Sequence, residues 1–239
     1  MKSVLRELQH LAAFPNLGQW ELPDDDPSPK GVRIATAREV RSKRARAIGR
    51  AALKPVLRGY LFGRQHDAQI QSFRREGDRL TITVHDDDLA ALANFVYGAP
   101  WNEVEMPFDL VFEGVRYVGW RWIEYGGKLL FSPPPSGLIE WLDDEILPSE
   151  GTEIRWGLLV HASEEHGRRP HRRLLLVEAM TVRVVERQRD AWRTKFGEAS
   201  LALLDHYAAL RPQLALTQDQ RGLAQMRAFA EAHGLATRD

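Results

Sequence analysis

The sequence predicts an α+β protein built on an antiparallel sheet at roughly residues 66 to 186. Two observations predict this class. Short runs of alternating apolar and polar residues are joined by glycine-containing two-residue turns, which are the strongest hairpin signal in a sequence. Apolar residues at helical spacing occur mainly towards the two ends of the chain. We therefore expect a central antiparallel meander of about six to eight strands, an N-terminal basic helix and two C-terminal helices.

The N-terminal part is predicted to be helical, with an exposed loop. A short helix is expected at 1–13, and the loop at 23–31 contains three prolines and a glycine. Thr36 is placed to cap a second helix over 36–58, because a glutamate three residues later completes a capping box. Between residues 33 and 64 there are ten Lys/Arg and one Glu, a net charge of +9. This second helix is therefore strongly basic.

The predicted sheet begins with a hairpin and continues through further short strands. Residues 70–75 and 80–84 alternate on either side of the turn Glu76-Gly77-Asp78. Further strands are expected at 108–112, 115–125, 128–132, 154–160 and 172–186, whereas residues 138–147 fit either a helix turn or a strand. A short helix capped by an aspartate is expected at 88–96.

Helical spacing returns from Glu198 onwards. Thr217 is expected to cap a last helix that ends at Gly234. These boundaries divide the chain into a helical segment with a Pro/Asp-rich loop at 1–64, a sheet domain at 65–197 and a helical pair at 198–239. We expect the helical pair to pack on the sheet, so that all three parts form one domain.

Acidic residues are concentrated in the sheet region. Between residues 86 and 153 there are fourteen Asp/Glu and three Lys/Arg, a net charge of −11. One interpretation is that this segment neutralises the basic segment inside the folded chain. The other is that an acidic, aromatic-rich sheet surface binds a protein partner, because a surface of one sign steers association. The residues expected at that surface are Asp86, Asp87, Asp88, Trp101, Glu124, Trp141, Asp143 and Asp144.

The basic helix offers an alternative function, which is binding to nucleic acid. Lysine and arginine side chains contact phosphates, and each contact adds a salt-sensitive contribution to affinity. No aromatic residue is interleaved with them, so base stacking is not indicated. The residues expected to contact phosphates are Arg41, Lys43, Arg44, Arg46, Arg50 and Lys54.

No catalytic motif is recognisable, and we expect a non-enzymatic protein without cofactor or bound metal. The sequence has no Gly-x-Ser-x-Gly elbow, no phosphate-binding glycine-rich loop and no dinucleotide fingerprint. A metal-dependent hydrolase is nevertheless a second alternative, because His-Asp pairs and acidic triplets can hold divalent cations. These motifs are His66-Asp67, His85-Asp86, Asp86-Asp87-Asp88 and Asp143-Asp144-Glu145.

Composition also predicts the compartment. The chain has no cysteine and therefore no disulfide. No apolar run approaches the roughly 20 residues that cross a bilayer, and an acid and two bases interrupt the first seven residues where a signal peptide is apolar. We expect a cytoplasmic protein that does not contact a membrane.

The residues around the hairpin resemble a motif of uncharacterised bacterial proteins of unknown function. His66–Ser72 is followed by Gly77–Ile82, later by Phe112–Tyr117 and then by an aromatic strand at Trp120–Tyr125. The similarity covers about residues 66 to 125. Small sheet proteins of this kind include immunity proteins that neutralise bacterial toxins. The resemblance implies a bacterial binding protein, and the acidic segment would suit a basic nuclease toxin as its partner.

Overall fold

The computed structural model describes residues 3–14, 17, 57, 59–61, 65, 68–124, 127–147, 153–163, 171–211, 213–214, 216–217 and 219–235. The proline-rich loop, the six candidate phosphate contacts of the basic helix and the pair His66-Asp67 lie outside these residues. The described part is α+β with nine antiparallel strands, which confirms the predicted class. Among its helices, none is both long and apolar enough to cross a membrane.

The secondary structure runs in chain order as follows. The helices are α1 (Val4–Glu7), α2 (Asp87–Tyr97), α3 (Gln188–Phe196), α4 (Leu201–Leu210) and α5 (Gln220–Ala232). The strands are β1 (Gln69–Glu76), β2 (Arg79–His85), β3 (Pro107–Glu113), β4 (Tyr117–Ile123), β5 (Leu129–Ser132), β6 (Leu138–Leu147), β7 (Ile154–Ser163), β8 (His171–Ala179) and β9 (Thr181–Glu186). Short 3₁₀ turns lie at Leu11–Ala13, Trp101–Glu103 and Glu198–Ser200.

The nine strands form one sheet that closes on itself. Their hydrogen-bonded order is β5-β4-β8-β7-β6-β1-β2-β3-β9, and every neighbouring pair is antiparallel. Strand β8 leads into β9 through Met180 alone, and β9 pairs with β3 while β8 pairs with β4. Backbone bonds from Met180 to Glu113 (3.0 Å) and from Arg116 to Glu178 (2.8 Å) make these four strands one continuous ladder. One outer edge of that ladder pairs with β2 and the other pairs with β7. Strands β1 and β6 join β2 to β7, so the sheet is closed.

This closure explains where the strand prediction differs from the structure. The predicted strand at 172–186 is a single run that kinks at Met180 and is therefore divided into β8 and β9. The ambiguous residues 138–147 are strand β6, which bulges between Trp141 and Asp143. The hairpins β1-β2, β4-β5 and β7-β8 are confirmed. The hairpin expected between the strands at 108–112 and 115–125 is wrong, because β3 and β4 do not pair with each other but pair with β9 and β8 instead. Strand β1 also pairs with β6 across a long connection.

Aromatic side chains fill the interior of the closed sheet. Trp156 packs against Phe112 with ring centroids 5.1 Å apart and against Trp141 at 5.5 Å. Tyr60 covers one end of the sheet, and its ring centroid lies 4.6 Å from that of Phe108. Each fully buried side chain of this size contributes about 2–3 kcal/mol to the free energy of unfolding. The interior is therefore a packed core.

Strand β8 is apolar on both faces because both are covered. Leu175 and Val177 face the interior, whereas Leu174 and Leu176 pack outside against the N-terminal segment around Leu5. Such double coverage accounts for the uninterrupted apolar run in this strand. The C-terminal helices α4 and α5 pack with α2 and α3 in a separate apolar cluster, so α2 and α3 connect them to the sheet.

Candidate binding surface

Most of the predicted acidic partner surface is buried. Asp86, Asp88, Trp141, Asp143 and Asp144 are each at most 4% exposed. A partner cannot contact side chains that the chain's own atoms cover. These five residues therefore do not form the exposed surface that the sequence suggests, and the four carboxylates have internal hydrogen bonds instead.

Asp86 joins the sheet to the helices through a buried ion pair with Arg211. The guanidinium donates through Nη1 and Nη2 to the two carboxylate oxygens at 2.5 and 2.9 Å, and through Nε to the carbonyl oxygen of Gly59 at 3.0 Å. Gln188 Nε2 donates to Asp86 at 3.0 Å, and the Leu89 N–H donates at 3.3 Å, which caps α2. Burial disfavours the charged guanidinium, but the Asp86 carboxylate together with Tyr207 and Tyr60 outweighs this effect and raises the pKa of Arg211 well above its ordinary value.

Asp88 holds the C-terminal helices to the first turn of α2. The Tyr207 hydroxyl donates to Asp88 Oδ2 at 2.7 Å. The backbone N–H and the hydroxyl of Thr217 donate to Asp88 Oδ1 at 2.9 and 3.0 Å. Burial raises the pKa of Tyr207 well above its ordinary value, so the phenol stays protonated and remains a donor. Asp88 is thus a structural carboxylate.

The acidic triplet in β6 also bonds to groups of the protein. The Trp156 indole N–H donates to Asp144 Oδ2 at 3.0 Å, and the Asp144 backbone N–H donates to Asp143 Oδ1 at 2.9 Å. Glu145 accepts the backbone N–H of Leu17 at 3.1 Å. The carboxylates of the two acidic triplets behind the hydrolase alternative are therefore engaged within the chain. Among the described residues, no group of three His, Asp or Glu is placed to hold a metal ion.

A cleft of about 360 Å³, part of it open to solvent, lies where the sheet meets the helices. Its walls include Tyr60, Glu186 and an exposed ion pair between Arg189 and Asp205. The Tyr60 hydroxyl donates to Glu186 at 2.5 Å, and burial raises the pKa of Tyr60. A phenol that stays protonated is a poor base and a poor nucleophile. Tyr60 is therefore unsuited to either role in this cleft.

Three of the eight predicted partner residues remain accessible. Trp101 is 47% exposed, Glu124 is exposed, and Asp87 is half-buried with its carboxylate 3.7 Å from His85 Nε2. Trp101 precedes β3, and Glu124 follows β4. Because β3 and β4 form one long strand, these two residues lie at opposite ends of it and do not share a surface.

Trp101 is held outward by a firmly anchored turn. Val104 and Met106, just after it, are each 1% exposed and belong to the helical cluster. Lys195 Nζ donates to the carbonyl oxygen of Glu103 at 2.5 Å. The Asp86 backbone N–H donates to the Met106 carbonyl oxygen at 2.9 Å, which joins this segment to the start of α2. The indole is therefore presented from a fixed backbone.

Acidic residues follow Trp101 closely in the chain. Glu103 and Glu105 are exposed, because they alternate with the buried Val104 and Met106. We define the Trp101 surface as Asp87, Trp101, Glu103 and Glu105. Burial lowers the pKa of the neighbouring His85 despite the charges of Asp86 and Glu105, so this imidazole is neutral at pH 7. The sequence prediction missed Glu103 and Glu105, although the alternation Glu-Val-Glu-Met was the available signal.

Comparison with known proteins gives no match. No family model fits the chain, and no curated protein or solved structure is significantly similar to it. Any functional conclusion therefore depends on the chain's own geometry.

Proposed function

We propose that this protein is a non-catalytic binding protein that docks a basic partner protein on the Trp101 surface. The supporting observation is that Trp101 is 47% exposed although buried residues fix the backbone beside it. Exposed tryptophans on rigid elements are the typical anchors of protein interfaces. An immunity-like role against a basic toxin, which the sequence resemblance implies, is one function of this type.

The charges around Trp101 favour a basic partner. Asp87, Glu103 and Glu105 carry negative charge, and the neutral His85 does not offset it. Lys195 approaches this group from α3, with its Nζ 3.8 Å from Glu103 Oε2. Acidic groups around an aromatic anchor speed the encounter with a basic protein and disfavour acidic partners.

The proposal is tested by affinity capture from the native host with matched variants. Trp101→Ser removes the anchor, and Phe95→Ser removes another exposed aromatic, 37% exposed on α2, outside the Trp101 surface. We expect a protein rich in Lys and Arg to be captured by the wild type and Phe95→Ser, and to be lost with Trp101→Ser. A tryptophan anchor is worth about 2 kcal/mol or more, so affinity should fall by about thirtyfold or more. Equal capture by both variants would refute the proposal.

We propose nucleic-acid binding by the segment at 36–58 as a second function, supported by the ten Lys/Arg against one Glu between residues 33 and 64. Binding to duplex DNA or RNA should weaken steeply between about 50 and 200 mM salt. It should be lost in Arg44→Glu/Arg50→Glu. An absence of binding at the lower salt concentration would exclude it.

A further inference from the structure

Arg121 is a buried cation whose described contacts are all to neutral groups. The residue lies on β4 and is 2% exposed. Its Nη1 donates to the Trp120 carbonyl oxygen at 3.0 Å, and its Nη2 donates to the Tyr117 hydroxyl. Its Cζ lies 5.8 Å from the centroid of the Tyr117 ring. No carboxylate of the described residues forms an ion pair with this guanidinium.

Arg211 shows how the same chain neutralises an equally buried arginine. There, Asp86 accepts from two guanidinium nitrogens at once. Transfer of a guanidinium out of water is costly unless an anion balances its charge, so a buried arginine without a carboxylate requires an explanation. The carboxylate opposite Tyr117 on β8 is Glu178, which accepts from Ser3 at 3.0 Å and lies 3.5 Å from Arg155. Glu178 is therefore engaged elsewhere.

Phe131 covers Arg121 from the solvent side. The two residues lie opposite each other in the β4–β5 ladder, and Arg121 Cζ is 4.1 Å from the centroid of the Phe131 ring. Phe131 is itself 75% exposed, on the outermost strand of the hydrogen-bonded order. Few packing contacts hold this ring, so rotation about its side-chain bonds would uncover the guanidinium at small cost.

The surroundings of Arg121 are built to hold the guanidinium in place. A Cβ at Gly119 would lie 2.2 Å from the Tyr117 hydroxyl and 2.9 Å from Arg121 Nη1, so only glycine leaves room for this contact. A second cation, the exposed Arg6, lies 5.6 Å from the centroid of the same Tyr117 ring. Two guanidinium groups therefore flank one phenol, and each would attract an anion.

We propose that Arg121 is the centre of an oxyanion-binding site and that Phe131 is its movable cover. The ligand is a carboxylate or a phosphate group, because the planar guanidinium binds both through two parallel N–H···O bonds. The Tyr117 hydroxyl and Arg6 would contribute further polar contacts to the same anion. Arg121 lies on β4, whereas the residues of the Trp101 surface precede β3. The proposed anion site therefore does not depend on the proposed partner binding.

The test follows the side-chain Nε–Hε resonance of Arg121 by NMR. The full-length protein is titrated separately with inorganic phosphate and with acetate, while sodium chloride keeps the ionic strength constant. Phe131→Ala removes the cover, Arg121→Gln removes the charge, and Arg74→Gln replaces an exposed arginine on β1 as the matched control. Comparison of the two titrations shows whether the site prefers phosphate or carboxylate.

We expect a saturable shift with at least one anion in the wild type and in Arg74→Gln. Phe131→Ala should bind the anion more tightly, because its guanidinium is always uncovered. If Phe131 leaves the guanidinium uncovered in about one wild-type molecule in ten, the gain in affinity should be about tenfold. In Arg121→Gln, the saturable shift of neighbouring backbone amides should be lost. The proposal is overturned if neither the wild type nor Phe131→Ala responds saturably, or if Arg121→Gln binds as the wild type does.

Discussion

Replacement of Asp86 by alanine should destabilise the protein more than any exposed acidic substitution. The variant leaves the Arg211 guanidinium buried without the carboxylate that accepts from it at 2.5 and 2.9 Å. It also removes the acceptor for Gln188 Nε2 and the cap of α2 at the Leu89 N–H. Arg211 is 4% exposed, so water cannot readily replace the lost partner.

The magnitude follows from these contacts. Loss of one partner from a buried ion pair costs about 3–5 kcal/mol, and loss of an N-cap costs about 1 kcal/mol. The expected decrease in the free energy of unfolding is therefore about 4–6 kcal/mol, a large part of the roughly 5–15 kcal/mol typical of a domain. Asp86→Asn keeps an oxygen that can cap the helix and should cost less than Asp86→Ala.

Urea unfolding followed by tryptophan fluorescence measures this effect. Asp205→Ala is the matched control, because it breaks the solvent-exposed pair with Arg189 and should leave the midpoint unchanged within error. The double variant Asp86→Leu/Arg211→Met removes both charges and should recover much of the stability lost in Asp86→Ala. If Asp86→Ala unfolds at the same urea concentration as Asp205→Ala, the argument for the buried ion pair is wrong.

Three further predictions concern pH and a glycine. Burial raises the folded-state pKa of Tyr60 and Tyr207 above the ordinary 10.0. Their contribution to stability should therefore be complete below about pH 10 and decline above it. Urea unfolding midpoints measured between about pH 9 and 11 test this. Burial lowers the folded-state pKa of His85, so its contribution should be present above about pH 6.5 and fall at lower pH; NMR titration should place its pKa below 6.5. A normal or raised value would contradict the burial argument. Gly119→Ala places a Cβ 2.2 Å from the Tyr117 hydroxyl. It should lower the free energy of unfolding in urea by about 1–3 kcal/mol. An unchanged free energy would show that the phenol moves freely.

The sheet was largely predictable from local signals, but its closure was not. The first hairpin follows from alternation and from Gly77, which adopts a φ of 60° in the turn between β1 and β2. Residues 138–147 were ambiguous because three consecutive acids do not resemble a buried strand, yet a bulge and the Trp156 indole accommodate them. Helix α3 was missed because Trp192 is its one large buried apolar residue. The closure depends on pairing between strands that lie about 70 residues apart in the chain. No local sequence pattern predicts such pairing.

The candidate sites were predictable only in part. Asp86 and Arg211 are 125 residues apart, so the sequence alone could not distinguish a buried, paired carboxylate from a solvated one. The sequence drew attention to Trp101 as an aromatic residue in the acidic region; the structure shows that it is exposed, and its role in partner binding stays a prediction. Arg121 gave no signal in the sequence, because its significance depends on burial and on the absence of a described acidic neighbour.

Site-specific photocrosslinking in the native host tests the proposed partner binding most directly. The photoreactive residue p-benzoylphenylalanine replaces Trp101 in one variant and Phe95 in the other, so both probes stand at exposed aromatic positions. If the Trp101 surface binds a basic partner, the probe at position 101 should give one discrete adduct with a Lys/Arg-rich protein. Glu103→Lys/Glu105→Lys should weaken that adduct, and the probe at position 95 should not give it. Identical adducts from both positions, or none from position 101, would contradict the account.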